Sequence, residues 1–223
     1  MQRKAGRGLL LVMIEVIAGS EDELDRWYEN EHVPDRAGCP GFLSARRFHN
    51  LREGSSEARY LALYDLEEPE VLQTDAYKKI FMTPWTERIR TLYERPSVRS
   101  VYLEVAPLGV HSQQDEPDTT ARTADRGLVL ELVDVAPSQD GRLDLWYETE
   151  HLPAWRDTSG FLAVRRFVKL EGTGARWLAL YDLEAHPDKL QAPALKMDFL
   201  GADPAVVETS HRIYREIPPP ALR

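Results

Sequence analysis

The sequence is poor in the features that usually assign a chain quickly. It has one cysteine, Cys39, among 223 residues, so no intrachain disulfide can close and cysteine usage does not mark an extracellular chain. No CxxC or HExxH offers a zinc site, and no metal is expected. The longest strictly apolar run, Leu9 to Ile14, stops at Glu15, far short of the roughly 20 residues of a membrane-spanning helix. No small-residue cleavage site follows it, so a secretory leader is not expected. Basic residues are outnumbered, 28 Lys and Arg against 37 Asp and Glu, for a net charge of −9. A nucleic-acid binder needs a basic stripe to displace counterions, and that class is excluded. The expectations are a cytoplasmic protein with no nucleic-acid or membrane partner and a small molecule as ligand.

What is present is a folded chain that repeats itself. Apolar residues make up 43% and charged residues 29%, a globular balance, and the length allows one domain or two small ones. Trp27-Tyr28-Glu29-Asn30-Glu31-His32-Val33-Pro34 returns as Trp146-Tyr147-Glu148-Thr149-Glu150-His151-Leu152-Pro153. Gly41-Phe42-Leu43-Ser44-Ala45-Arg46-Arg47-Phe48 returns as Gly160-Phe161-Leu162-Ala163-Val164-Arg165-Arg166-Phe167. Ala58 to Glu67 returns with Trp177 in place of Tyr60. The offset is 119 residues for the first two blocks and 117 for the third, an internal duplication. The division is a first repeat over 1–107, a polar, proline-containing linker over 108–126, a second repeat over 127–217 and a tail over 218–223.

Each repeat reads by the same rules. Leu9 to Ile17 and Leu128 to Val135 are nearly continuous apolar runs, as in strands buried on both faces. Ser20 and Glu23 predict a capping box opening a helix to about His32, with Pro34 ending it. Phe42 to His49 and Arg59 to Leu66 read as strands. A helical region follows over about 69–93, broken before Pro84 with Thr83 as N-cap, and Val98 to Val105 is a last strand. Strand, helix, strand, strand, helix, strand is the ferredoxin-like βαββαβ order. The expected fold is α+β: two tandem ferredoxin-like repeats packed sheet to sheet as an α+β barrel around a central cavity.

The Trp-Tyr-x-x-Glu-His-x-Pro helix end, with the Gly-Phe and Arg-Arg strand after it, resembles the EthD-like branch of the dimeric α+β barrel superfamily over about 8–106 and 127–217. The resemblance implies a barrel made within one chain, an intrachain pseudo-dimer that could dimerise again. Members include cofactor-independent monooxygenases, polyketide cyclases, muconolactone isomerases and haem proteins of the chlorite dismutase type. Histidines near the cavity of related barrels act in proton transfer, and His32 and His151 match that position.

At 100° per residue Leu24, Trp27, Tyr28 and Glu31 share a helix stripe, as do Leu143, Trp146, Tyr147 and Glu150. Glu31 and Glu150 there read as partners of strand arginines. His32, His49, His151 and Glu131 are the catalytic candidates: histidines suit a base near neutral pH. Glu131 interrupts an apolar strand where Val12 stands in the first copy, either as a pocket carboxyl or as a paired structural charge. Ligand-binding candidates are Tyr28, Tyr60, Tyr64, Tyr147, Tyr181 and Trp177, with Arg46 and Arg165 for an oxyanion. In the third strand the leucines suit the face under the helices and the tyrosines a cavity wall. Trp85 and Trp155 are weaker wall candidates.

The first functional reading is a cofactor-independent enzyme doing acid/base chemistry on a small apolar or aromatic carbonyl compound, of cyclase, isomerase, dehydratase, lyase or cofactor-free monooxygenase type. The alternatives are a chlorite dismutase-like haem protein, with His211 or His186 as axial ligand, and a non-catalytic barrel that binds a small ligand.

Overall fold

The computed structural model describes residues 7–51, 57–105, 126–158, 160–184 and 206–217. The proposed linker (except Arg126), the tail, His186 and the segment between the last two strands lie outside them. The fold is α+β, a closed eight-stranded antiparallel barrel. The chain divides into two compact units, one holding Leu170–Thr173 and Ile217 with the first repeat, the other the rest of the second repeat with Val105.

In the first unit β1 (Gly8–Ile14) pairs with both β3 (Tyr60–Leu66) and β4 (Val98–Val105), and β3 pairs with β2 (Phe42–Asn50). The order β4-β1-β3-β2 is that of the ferredoxin-like sheet. Central β1 is covered on both faces, which is why it is apolar in both phases: Leu9, Leu10, Leu11, Met13 and Ile14 are all buried. Helices α1 (Glu21–Trp27) and α2 (Val33–Ala37) connect β1 to β2, and α3 (Asp75–Phe81) and α4 (Pro84–Arg90) connect β3 to β4. The second unit repeats the arrangement with β5 (Gly127–Val135), α5 (Asp140–Trp146), α6 (Leu152–Arg156), β6 (Phe161–Gly172), β7 (Trp177–Leu183) and β8 (Val206–Ile217). There β5 pairs with β7 and β8, and β7 with β6.

Two local expectations fail for physical reasons. Ser20 makes no side-chain capping bond. Glu23 is drawn away instead to Arg26 at 2.8 Å and to the Trp85 indole at 3.1 Å. Nor does Pro34 end the helix. The turn Tyr28–His32 widens to a π turn, the Val33 N–H reaching back to the Tyr28 carbonyl, and Pro34 opens α2, where its missing donor costs little. The second copy does the same over Tyr147–His151. Thr83 caps α4 as expected, its hydroxyl accepting from the Thr86 N–H at 3.0 Å.

The repeated Gly-Phe has a steric basis. Gly41 and Gly160 sit at φ +90° and +83°, where a side chain is strained. A Cβ on Gly41 would also collide with the Val71 side chain. Directly after each glycine the strand bulges, at Phe42/Ser44 and again at Phe161/Ala163, and the extra residue reverses the side-chain phase of the rest of the strand.

One ion-pair cluster is duplicated too. The Arg59 guanidinium bonds buried Glu15 at 2.5 Å and Glu21 at 2.8 Å. Arg176 bonds Asp140 at 2.6 Å, and its N–H reaches Asp134 at 2.6 Å. Each cluster joins the end of the first strand, the start of the first helix and the start of the third strand.

Leu24 is fully buried under α1, whereas Leu145 is 58% exposed on α5. Leu24→Ala should cost about 2–5 kcal/mol of stability and Leu145→Ala under about 0.5 kcal/mol, read from urea midpoints at constant m-value.

Candidate functional site

The site is built on the helix-covered face of the first sheet. Register places Leu10, Val12 and Ile14 of β1 opposite Tyr64, Ala62 and Tyr60 of β3, all on that face. The tyrosines therefore lie beneath the helices, and Leu61 and Leu63, expected there, are buried on the opposite face. Between sheet and helices is a cavity of about 130 Å³. Its floor is Leu10, Val12, Ile14 and Tyr64. Trp27, Tyr28, His32 and Arg36 form one wall, and residues of α3 and α4 with Tyr93, Ser97 and Arg99 the other. Phe81 and Met82, 40% and 37% exposed, stand at the mouth.

The π turn aims the imidazole. A regular helix would put Glu31 on the inward stripe, but the wider turn carries His32 inward with Trp27 and Tyr28. The His32 ring lies 4.0 Å from Trp27, 5.3 Å from Tyr28 and 5.9 Å from Tyr64. Glu31 turns to the rim, accepting from the Trp27 indole at 3.1 Å and the Thr83 hydroxyl at 2.5 Å. That ties the π turn to the start of α4.

Electrostatics follow from this setting. Burial, reinforced by the Arg36 and Arg47 cations, holds the His32 imidazole well below its ordinary value, so it is neutral at pH 7. Burial also pushes the Tyr28 and Tyr64 phenols up, keeping both protonated. The Tyr64 hydroxyl is buried beside the Tyr28 phenol, and Arg36 Nε has no hydrogen-bond partner.

The strand arginines divide one to each face, as expected, and the bulge decides which goes where. The bulge puts Arg47, not Arg46, on the helix face. Arg47 lies over the Tyr28 ring at 3.9 Å and bonds Asp25 at 2.5 Å. Arg166, not Arg165, does the same with Tyr147 at 3.9 Å and Asp144 at 2.7 Å. Arg46 and Arg165 lie instead near Phe48 and Phe167, on the other face. The carboxylates that meet the strand arginines are thus Asp25 and Asp144, not Glu31 and Glu150. Alternation over an unseen bulge cannot choose between adjacent arginines.

The other candidates scatter. His49 is exposed at the end of β2, edge-on to Tyr60 at 5.3 Å, and does not line the cavity. Tyr60 is buried but also outside the lining. Trp177 donates to Asp140 at 2.9 Å, bracing the start of α5. Trp85 donates to Glu23 and does not line the cavity.

In the second unit the equivalent positions are packed together. Glu131 is fully buried and accepts from the Tyr147 hydroxyl. Its other oxygen meets His151 Nε2 at 2.9 Å and the Tyr181 hydroxyl at 3.4 Å. The Trp155 indole nitrogen lies 3.2 Å from the same His151 nitrogen, and its ring stacks on Tyr181 at 4.2 Å. The same helix and strand positions thus hold His32, Tyr28, Tyr64, Val12 and Arg36 around a cavity in one unit, and His151, Tyr147, Tyr181, Glu131 and Trp155 in mutual contact in the other. Arg36 escaped sequence reasoning. Its signal was its place four residues after His32, where the second copy has Trp155.

No protein-family model matches the chain, and no curated protein sequence matches it significantly. Solved structures match over nearly its whole length. A provisionally named monooxygenase from Fusobacterium nucleatum subsp. nucleatum aligns at 11% identity and TM-score 0.62, covering 97% of this chain and 94% of that one. An anthrone oxidase-like protein aligns at 13% and 0.64, covering 97% and 93%. A provisionally named chlorite dismutase aligns at 12% and 0.63, covering 95% of each. At such identities the likeness shows the fold, a tandem ferredoxin-like α+β barrel. Among the described residues no helix is long and apolar enough to cross a membrane.

A depressed histidine leaves a pH signature. The unfolded chain takes up the His32 proton near its ordinary value of about 6.5 and the folded chain only at lower pH. His32 therefore does not weaken the fold above pH 6.5 and opposes folding below it, by up to about 1.4 kcal/mol per pH unit. Between pH 6.5 and 5, denaturant stability should fall more steeply in the wild type than in His32→Asn; parallel profiles would contradict the assignment.

Proposed function

We propose that the cavity of the first repeat is the active site of a cofactor-independent enzyme acting on a small aromatic or apolar carbonyl compound, of the EthD-like kind that the Trp-Tyr-x-x-Glu-His-x-Pro motif resembles. The observation that carries this reading is the neutral His32 imidazole facing the same cavity as the protonated Tyr64 phenol, which is buried beside the Tyr28 phenol. The base is thus ready to take a carbon-bound proton next to a carbonyl, and the phenol to donate to the oxygen as it gains charge. The floor beneath them is apolar, which lowers the local dielectric around both groups. Trp27 and Tyr28 supply rings against which an aromatic substrate stacks. The cavity is close in size to one that admits benzene, about 150 Å³, so the natural substrate presents one ring at a time, and larger ones require Phe81 and Met82 to swing aside. The names of the structural neighbours, a monooxygenase and an anthrone oxidase-like protein, agree with chemistry that begins at an enolisable carbon. Cyclisation, isomerisation, dehydration and oxygenation share that first proton transfer.

Haem, which the chlorite dismutase likeness brings in, does not fit these residues. A space of about 130 Å³ is smaller than the 300–1,000 Å³ of pockets for drug-sized ligands, and the His151 Nε2 is engaged by Glu131 and Trp155. Of the two axial candidates, His186 lies outside the described residues and His211 is known only as the backbone partner of Glu131 on β8.

The test is deuterium uptake from D2O at the enolisable carbons of acetophenone, 4-carboxyacetophenone and anthrone, followed by mass spectrometry. The wild type should accelerate exchange of at least one. His32→Asn should slow it 10²–10⁴-fold, the usual worth of a positioned base, and Tyr64→Phe by about 10²-fold or more. No acceleration by the wild type, or an unchanged rate in His32→Asn, would overturn the reading.

A further inference from the structure

Arg36 is the least comfortable residue in the first unit. Its side chain is 3% exposed. Nη1 donates to the Ile80 carbonyl at 3.0 Å, the guanidinium lies 5.1 Å from the Tyr77 ring centroid, and Nε donates to nothing. Among the described residues no carboxylate stands within ion-pair distance of it. A buried cation without a counter-ion costs several kcal/mol, and the buried strand arginines facing the helices each have one: Arg47 has Asp25 and Arg166 has Asp144. The cavity that Arg36 lines also carries Arg90 and Arg99, the latter paired with Glu171 at 3.3 Å, and has no acidic residue in its lining. In a chain with net charge −9 this concentration of positive charge is local.

The second repeat shows what neutralises the position internally. The residue aligned with Arg36 is uncharged Trp155, and the strand residue aligned with Val12 is Glu131, which the local phenols and imidazole bond. The first repeat reverses both choices. It keeps the cation, omits the acid and leaves a space.

We propose that the missing counter-ion is the ligand, and that the pocket takes a small aromatic carboxylate, its ring against Trp27 and Tyr28 and its carboxylate on the Nε side of Arg36. A guanidinium offers two parallel N–H donors to a carboxylate, and Nη1 is already spent on Ile80. Tyr64 is left to serve the reacting oxygen. This rests on the reading of the cavity as a small-ring site and narrows its substrate to an anion.

The probe is benzoate, with benzamide as its neutral counterpart of the same shape, titrated calorimetrically into the full chain. Benzoate should bind at least ten times more tightly than benzamide. Arg36→Met should abolish that preference, and Arg36→Lys should keep part of it. Val12→Glu, which installs the internal acid of the second repeat, should weaken benzoate at least tenfold more than the neutral, equally large Val12→Gln does. Should Arg36→Met not fold, the wild-type preference and the Val12→Glu result decide. Equal affinity for the two probes, absence of benzoate binding, or full benzoate affinity in Val12→Glu would each overturn the proposal. Benzoate binding without proton exchange at any ketone overturns the catalytic reading and leaves this one standing. Exchange of acetophenone without benzoate selectivity does the reverse.

Discussion

A guanidinium pressed between a carboxylate and a phenol ring holds the site in shape. Arg47 on the sheet lies over Tyr28 and bonds Asp25, so one strand residue grips the helix at two points one turn apart. The π turn begins at Tyr28. With that ring pinned, the extra residue of the wide turn rotates His32 into the cavity and Glu31 to the rim, where Thr83 receives it. Arg166 repeats the grip on Tyr147 and Asp144. The cation is largely desolvated, and a bonded carboxylate at its edge and an aromatic ring at its face supply the partners a buried charge requires.

On this shared scaffold the repeats diverge through two substitutions. Glu131 in place of Val12 and Trp155 in place of Arg36 turn a cavity wall into a bonded, stacked cluster of Tyr147, His151, Tyr181 and Trp155. The histidines are equivalent by descent and not by environment. His151 has both a carboxylate and an indole on one nitrogen, whereas His32 faces open space among rings and cations that disfavour its charge. Duplication thus left one copy with a bonded cluster and the other with a cavity at the same positions.

Much of the fold was legible because it is written in patterns with one physical solution. Central strands apolar in both phases, Thr83 before Pro84, and glycines before each Phe strand have few alternatives. Within the site, Tyr28 and His32 were legible as candidates because the repeated motif sets them apart, and Tyr64 was a candidate whose face the strand pattern did not reveal. Arg36 was not, since a buried arginine looks like any surface arginine in a sequence. Which of the adjacent arginines faces the helices was not legible, because a one-residue bulge reverses phase without altering composition.

The sequence by itself determined the duplication, the order of elements in each repeat, the absence of disulfides and of a basic surface, and the residue types available for chemistry. These follow from composition, periodicity and local sterics, which act over a few residues. Only the tertiary structure decided that the cavity lies between helices and sheet in the first repeat, that His32 rather than Glu31 enters it, and that Arg36 does so without a counter-ion. Those outcomes depend on a π turn, a bulge and contacts between residues as far apart as Glu31 and Thr83, where packing and desolvation across the chain outweigh local preference.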